Sequence, residues 1–262
     1  MASLRFENPR RARAARVAAL LALVPCAAGA AVVGNLRPAP PAGLIAVADR
    51  QHTQVVKLRT RALVAQRAEA GKLAVQVLGA EASGVLVGEG LVLTALHLVA
   101  LPGADGRLQP VADIEVLVAG RGAFPAELAG GAPDLDIAVL DVSALRNLPG
   151  APLAATDPAV GDSLIALGAV GESVEAVGVT VQDVGSLGDA AIKIDTAPAL
   201  ATSFAGGPLF NGEGEVAALS TPAAGEGGAA VTAAMLGQLL ERTRRERSMG
   251  GLPAGAAPIL KP

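Results

Sequence analysis

Residues 82–97 read Ala82-Ser83-Gly84-Val85-Leu86-Val87-Gly88-Glu89-Gly90-Leu91-Val92-Leu93-Thr94-Ala95-Leu96-His97. Two short apolar runs flank Gly88-Glu89-Gly90, and the second ends at one of the chain's 2 histidines. Runs this short, rich in Val and punctuated by Gly, read as strands rather than as one helix. Similar runs occupy residues 73–78, 114–118, 137–142, 163–167, 174–181, 191–194 and 216–219, with Gly, Asp and Pro between them. Many short strands without intervening helices predict an all-β barrel or sandwich. Helices are expected on either side. Residues 44–70 set charged side chains against Leu44, Val47, Val55, Leu58 and Leu63 at helix-like spacing, which predicts a helical lead-in. Residues 231–247 place Leu236, Leu239 and Leu240 on one helical face. That helix ends in Arg242, Arg244, Arg245 and Arg247, which suit the negative end of a helix dipole. Either solvent or an anionic lipid surface would accept these arginines.

Composition excludes several functions. The chain has 262 residues, 52% of them hydrophobic, which is enough to fill a sizeable core. Trp and Tyr are both 0 and Phe is 4, so base stacking on aromatic side chains is not a recognition mode here. Residues 72–230 carry 5 basic against 19 acidic side chains, a balance that repels nucleic acid. The 1 cysteine, Cys26, and the 2 histidines, His52 and His97, exclude a Cys-rich metal site and argue against a zinc enzyme. No organic cofactor is implied, and His52, among polar neighbours, reads as a surface residue.

The amino terminus reads as an export segment. Residues 1–16 carry 5 arginines against 1 glutamate, and residues 17–34 are uncharged. Ala28-Gly29-Ala30 offers the small residues of a cleavage site, while an uncharged run of about 18 residues also suits a membrane anchor. Export places the protein in the periplasm, outside the cell or anchored in the envelope. Residues 1–34 are therefore assigned to a signal or anchor. Residues 35–71, with three prolines before Gly43, form a linker and helical lead-in. Residues 72–248 form the main domain, and residues 249–262 a flexible tail.

Three segments carry the candidate chemistry: the strand ending Thr94-Ala95-Leu96-His97, then Asp134-Leu135-Asp136-Ile137-Ala138-Val139-Leu140, then Ser203-Phe204-Ala205-Gly206-Gly207-Pro208-Leu209-Phe210. Each alone has a structural explanation. In this order they resemble the trypsin-like serine peptidases of the bacterial HtrA (Deg) type. There a Gly-Ser-Gly strand leads to Thr-x-x-His, an Asp-Ile-Ala-Val-Leu strand follows, and a Gly-Asn-Ser-Gly-Gly-Pro-Leu loop completes the set. The intervening segments agree: Gly120-Arg121 with Phe124-Pro125-Ala126, Val160-Gly161-Asp162 before Leu164-Ile165-Ala166-Leu167-Gly168, Ile194-Asp195-Thr196-Ala197, and Gly214-Glu215-Val216. The resemblance covers about residues 72–245, and no PDZ domain is expected after it.

The resemblance implies two antiparallel β-barrels with a C-terminal helix and a site in the cleft between the barrels. It implies His97 as general base and Asp136 as the residue that orients its imidazole. It implies an oxyanion hole made by the backbone N–H groups of residues 203 and 205. It places Ala199, Leu219 and Ser220 at the specificity pocket, with a neutral floor suited to small apolar side chains. The chain departs from the pattern in the third segment. The nucleophile position holds Ala205, whose methyl group cannot attack a carbonyl. Ser203 stands where the family has Gly, and Phe204 where it has Asn, expected to expose an apolar ring. Three readings follow. The first is an exported pseudoprotease that binds a polypeptide substrate or partner protein in the cleft. The second is a weak serine endopeptidase that uses Ser203 with His97 and Asp136. The third is a structural envelope protein. Oligomeric state is left open.

Overall fold

The computed structural model describes residues 40–67, 73–102, 108–187, 190–221 and 229–249. The expected export segment, the prolines before residue 40 and the tail from residue 250 lie outside the described residues. So does the uncharged run, read as a cleaved signal or a membrane anchor; among the described residues no helix is long and apolar enough to cross a membrane.

The first half of the fold is a seven-stranded antiparallel sheet. Its strands are β1 (Val55–Arg67), β2 (Leu73–Leu86), β3 (Leu91–Ala95), β6 (Asp113–Val118), β7 (Gly122–Pro125), β8 (Glu127–Ala132) and β9 (Ile137–Asp141). They lie in the order β7-β6-β1-β2-β3-β9-β8. The two edge strands, β7 and β8, are separated in the chain by Ala126 alone, so the sheet must roll up. Ala126 itself donates to the Ile114 carbonyl on β6 at 2.9 Å. A small pair, β4 (Ala100–Pro102) and β5 (Leu108–Pro110), stands apart. The second half is a closed barrel of β10 (Ser163–Val170), β11 (Ser173–Leu187), β12 (Ala190–Ala197), β13 (Pro208–Phe210), β14 (Val216–Ser220) and β15 (Ala230–Thr232). Its order is β10-β11-β12-β15-β14-β13. The architecture is therefore the trypsin-like pair of β-barrels, with a C-terminal helix α2 (Ala233–Ser248).

Strand alternation explains why the central runs are apolar throughout. A residue on one face of β3 or β9 enters the first barrel, and its neighbour enters the layer between the barrels. Val92, Ala138 and Leu140 fill the first barrel. Leu91, Leu93, Ile137 and Val139 fill the layer between, where they meet Ile165, Leu167, Phe210, Val216 and Leu219 from the second barrel. The alternate residues Leu164, Ala166 and Ala217 enter the second barrel. By contrast β6, on the outside, buries Ile114, Val116 and Val118 and leaves the residues between them at the surface or half-buried.

Helix α2 packs Leu236, Leu239 and Leu240 into the same inter-barrel layer. Three of its four arginines are used within the protein. Arg242 donates to the Gly131 carbonyl at 3.0 Å, Arg244 pairs with Glu89 at 3.1 Å, and Arg247 pairs with Asp141 at 3.2 Å. They tie the last turns of α2 to the first barrel.

The lead-in departs from expectation. Only α1 (Ala42–Gln51) is helical, and it buries Leu44 and Val47 in the inter-barrel layer. After a short turn at His52–Gln54 the chain becomes β1, an interior strand of the first sheet between β6 and β2. The predicted helix over residues 44–70 is thus a ten-residue helix followed by a strand. The reason is a change of period. Lys57, Arg59 and Arg61 alternate with buried Leu58, Thr60 and Ala62, which is the period of a strand with one buried face. The folded domain accordingly begins well before residue 72. His52 is exposed, with its Nδ1 2.8 Å from the Asp49 carbonyl.

Candidate active site

Two adjacent strands deliver the acid–base pair. β3 and β9 run antiparallel with Ala95 opposite Ile137. His97 follows β3 in the turn Leu96–Leu98, and Asp136 precedes β9 after the turn Pro133–Leu135. Asp136 adopts the left-handed conformation at φ 54°, ψ 39°, a region its short polar side chain tolerates. That backbone turn aims its carboxylate at the histidine. Oδ2 lies 2.6 Å from His97 Nδ1, and Oδ1 accepts the His97 backbone N–H at 2.9 Å. The Asp136 carbonyl also accepts the Leu96 N–H at 3.0 Å. The carboxylate on Nδ1 holds the proton there and leaves the Nε2 lone pair for a ligand. The His97 side chain is 46% exposed, so its free edge is accessible.

The third segment is held by groups from both barrels. The Ser83 N–H on β2 donates to the Ala205 carbonyl at 3.1 Å. The Ser83 hydroxyl donates to the Ser203 carbonyl at 3.3 Å and accepts the Ala169 N–H from β10 at 2.9 Å. The Ser83 carbonyl in turn accepts the Thr94 hydroxyl at 2.8 Å. Gly206 stands at φ 76°, and a Cβ there would lie 2.3 Å from the Ser83 carbonyl and 2.5 Å from the Thr94 hydroxyl. Only glycine fits both the backbone angle and the contact. This close approach seats the 203–206 segment against the end of β3 that carries His97.

Phe204 is not exposed as expected; it is 4% accessible and lies in the second-barrel core with Leu164, Val179, Leu200 and Leu209. Gly168 makes the space, since a Cβ at Gly168 would lie 2.8 Å from the Phe204 ring. The buried ring belongs to a 3₁₀ turn over Thr202–Phe204. In that turn Phe204 N–H donates to the Ala201 carbonyl at 2.9 Å, and Ala205 N–H donates to the Thr202 carbonyl at 3.0 Å. The implied oxyanion hole, backbone N–H of Ser203 and Ala205, is therefore not assembled: the Ala205 donor is turned into the protein. Ala205 itself is 3% exposed. The Ser203 side chain is exposed and, among the described residues, has no hydrogen bond to His97.

The expected specificity pocket is not formed by its three residues. Ala199 is exposed, and Leu219 is fully buried in the inter-barrel layer. Ser220 is buried at 1% with its hydroxyl unpartnered. Leu219 and Ser220 are consecutive on β14, so their side chains leave opposite faces and cannot line one pocket. Sequence reasoning also gave Ser83 no role, although it stood inside the motif that fixed the fold.

A family model described as a trypsin-like peptidase domain matches residues 82–219. A comparison with curated protein sequences finds no match. Among solved structures, a serine endoprotease from Yersinia pestis aligns with a TM-score of 0.58 at 21% identity, covering 79% of this chain and 68% of that one. The Rv3671c protease from M. tuberculosis, in its active form, aligns with a TM-score of 0.59 at 22% identity, covering 85% of this chain and 94% of that one. A serine-to-alanine mutant of Rv3671c, in an inactive form, aligns with a TM-score of 0.57 at 21% identity, over 80% of this chain and 96% of that one. At these identities the likeness is one of fold.

Proposed function

This chain belongs to the trypsin-like peptidase family, and from that premise we propose that it is an exported, hydrolytically silent member that holds extended polypeptide in the cleft beside His97. One observation carries the reading: the His97–Asp136 pair has hydrogen-bonding geometry while both groups it would serve are missing. Acyl transfer needs an oxygen or sulfur at the nucleophile position, and Ala205 supplies neither. It also needs donors aimed where negative charge develops, and the Ala205 N–H is spent on Thr202. Loss of the nucleophile alone leaves roughly 10³–10⁴-fold catalysis over water in such sites. Loss of an oxyanion donor removes about 10²–10³ more. What remains is the His97–Asp136 pair on a trypsin-like fold, with the imidazole accessible. Export rests on the basic residues before the uncharged run 17–34.

The test is fluorophosphonate labelling of the purified protein beside measurement of peptide binding. A fluorescein-labelled twelve-residue peptide should bind reversibly and remain intact, and the probe should not label. Labelling at Ser203, or cleavage of the peptide, overturns the reading in favour of an unusual serine endopeptidase. Absence of peptide binding overturns it in favour of a structural role. Sequencing of the mature amino terminus tests export: a start at residue 31 fits cleavage after Ala30.

A further inference from the structure

The hairpin of β1 and β2 carries a feature the cleft does not explain. Its register is continuous from Val55 opposite Val85 to Arg67 opposite Leu73, with no bulge. β3 pairs with β2 only at Val85 and Leu86. Below Gly84 no strand is paired with the outer edge of β2 among the described residues, although β10 reaches it at Ser83. Ser83 shows which groups face that edge, because its N–H leaves the sheet to reach the Ala205 carbonyl. In an antiparallel pair, outward-facing backbone groups recur every second residue. The N–H and C=O groups of Glu81, Gly79 and Val77 therefore face the same open edge. The intervening residues face β1, as the Thr60 hydroxyl bonded to the Ala80 carbonyl confirms.

This edge lacks the usual protections. Native proteins blunt exposed edges with Lys, Pro or bulges. β2 contains neither Lys nor Pro, and Glu81 is its single charge. Val77 is 60% exposed and Leu78 43% exposed. Between them and the site stand only Gly79, Ala80, Glu81 and Ala82, so little side-chain bulk keeps a second backbone away. The edge also leads into the site, since its last outward donor, Ser83 N–H, already binds a backbone carbonyl of the 203–206 segment.

We propose that the free edge of β2 at Val77, Gly79 and Glu81 is a docking site for an extended, apolar polypeptide segment, which adds to the first sheet as a further strand. The occupant is polypeptide because the edge offers alternating backbone donors and acceptors, the pattern only another extended main chain satisfies along its length. Exposed Val77 and Leu78 supply the apolar contact on the two faces. From Ser83 to Val77 the edge spans about 20 Å. The inference rests on the reading of the cleft as a polypeptide site and extends it beyond the cleft.

The full chain is prepared with the photo-crosslinker p-benzoylphenylalanine in place of Val77 and, separately, of Ser203. The probe is a biotinylated twelve-residue peptide of six Val-Ala repeats. Crosslinking from position 77 is expected. It should fall at least tenfold on Gly79→Pro, which removes an outward N–H and no β1–β2 bond. A Cβ at Gly79 meets only the Thr60 carbonyl, at 3.7 Å. A peptide N-methylated at every second residue gives a test independent of how that variant folds. One methylation register should abolish crosslinking from position 77 and the other should leave it intact. Equal crosslinking by both registers overturns the proposal. Crosslinking from position 203 alone overturns it and leaves the cleft reading standing. Crosslinking from 77 alone keeps the docking edge and overturns the cleft reading. Protein–protein crosslinks from position 77 without peptide assign the edge to a second copy of this chain and overturn the proposal.

Discussion

The backbone N–H of Ala205 donates to the Thr202 carbonyl at 3.0 Å, so the donor that should face a substrate faces its own loop. Restoring the missing hydroxyl alone leaves that bond in place. Ala205→Ser is therefore expected to react with a fluorophosphonate slowly. A triple variant, Ser203→Gly with Phe204→Asn and Ala205→Ser, releases the turn and supplies the nucleophile. Its kcat/KM on a peptide substrate should exceed that of the single variant by about 10²–10³-fold, the cost of one oxyanion donor. Equal rates for the two variants would show that the Thr202–Ala205 bond does not limit the site.

The turn is anchored by Phe204 in the second barrel, and that anchor has a stability cost when removed. Phe204→Ala should lower the unfolding free energy by about 3–5 kcal/mol, the range for a buried ring. For a domain of this size that is a fall in Tm of roughly 10 °C. Gly168→Ala should also destabilise, because its Cβ would press on the same ring. Adding Phe204→Ala to Gly168→Ala relieves that contact, so the two effects should combine less than additively in thermal unfolding.

The parts of this architecture that the sequence announces are those where both faces of a strand are buried. Residues 91–93, 137–140 and 164–167 are apolar throughout because successive side chains enter different cores, and such runs read as strands without further knowledge. β1 is masked in the sequence because Leu44 and Val47 set a helical frame that the spacing of Val55 and Leu58 continues past the helix end at Gln51. The corrective signal, charge at every second residue from Lys57 to Arg61, was present in the sequence. The loss of the nucleophile was legible at Ala205 itself. The inward-turned amide was not, because it accompanies a ring buried in space that Gly168 leaves on a different strand. Nor was the pocket: Leu219 was placed by analogy of position, whereas strand alternation sends it into the inter-barrel layer.

Ser83 is fully buried, and its hydroxyl joins the Ser203 carbonyl to the Ala169 N–H, linking the turn to β10. Ser83→Ala leaves that carbonyl and that N–H without their partner. The expected loss is about 1–3 kcal/mol in denaturant unfolding. Ser83→Thr keeps the hydroxyl and should recover part of it. Amide exchange gives a more specific readout: Phe204 and Ala205 should exchange faster in Ser83→Ala if the hydroxyl holds the turn. Unchanged exchange at these two amides, with the same loss of stability, would limit Ser83 to joining the barrels.

Helix α2 offers a contrast between charge and burial as the source of docking. Arg244 and Glu89 meet at 3.1 Å, but their side chains are 40% and 65% exposed. A pair that open to solvent contributes about 0.2–1 kcal/mol and is screened by salt. Leu240, 2% exposed in the inter-barrel layer, is worth more: Leu240→Ala should cost about 2–5 kcal/mol. A double-mutant cycle with Arg244→Ala and Glu89→Ala should return a coupling under about 1 kcal/mol that fades at high salt. Glu89 complicates the single variant, since it holds φ 56° where a side chain is disfavoured. Glu89→Gly relieves that backbone while removing the carboxylate, so it should be less destabilising than Glu89→Ala. Equal losses for the two would place the whole effect in the ion pair rather than in the turn.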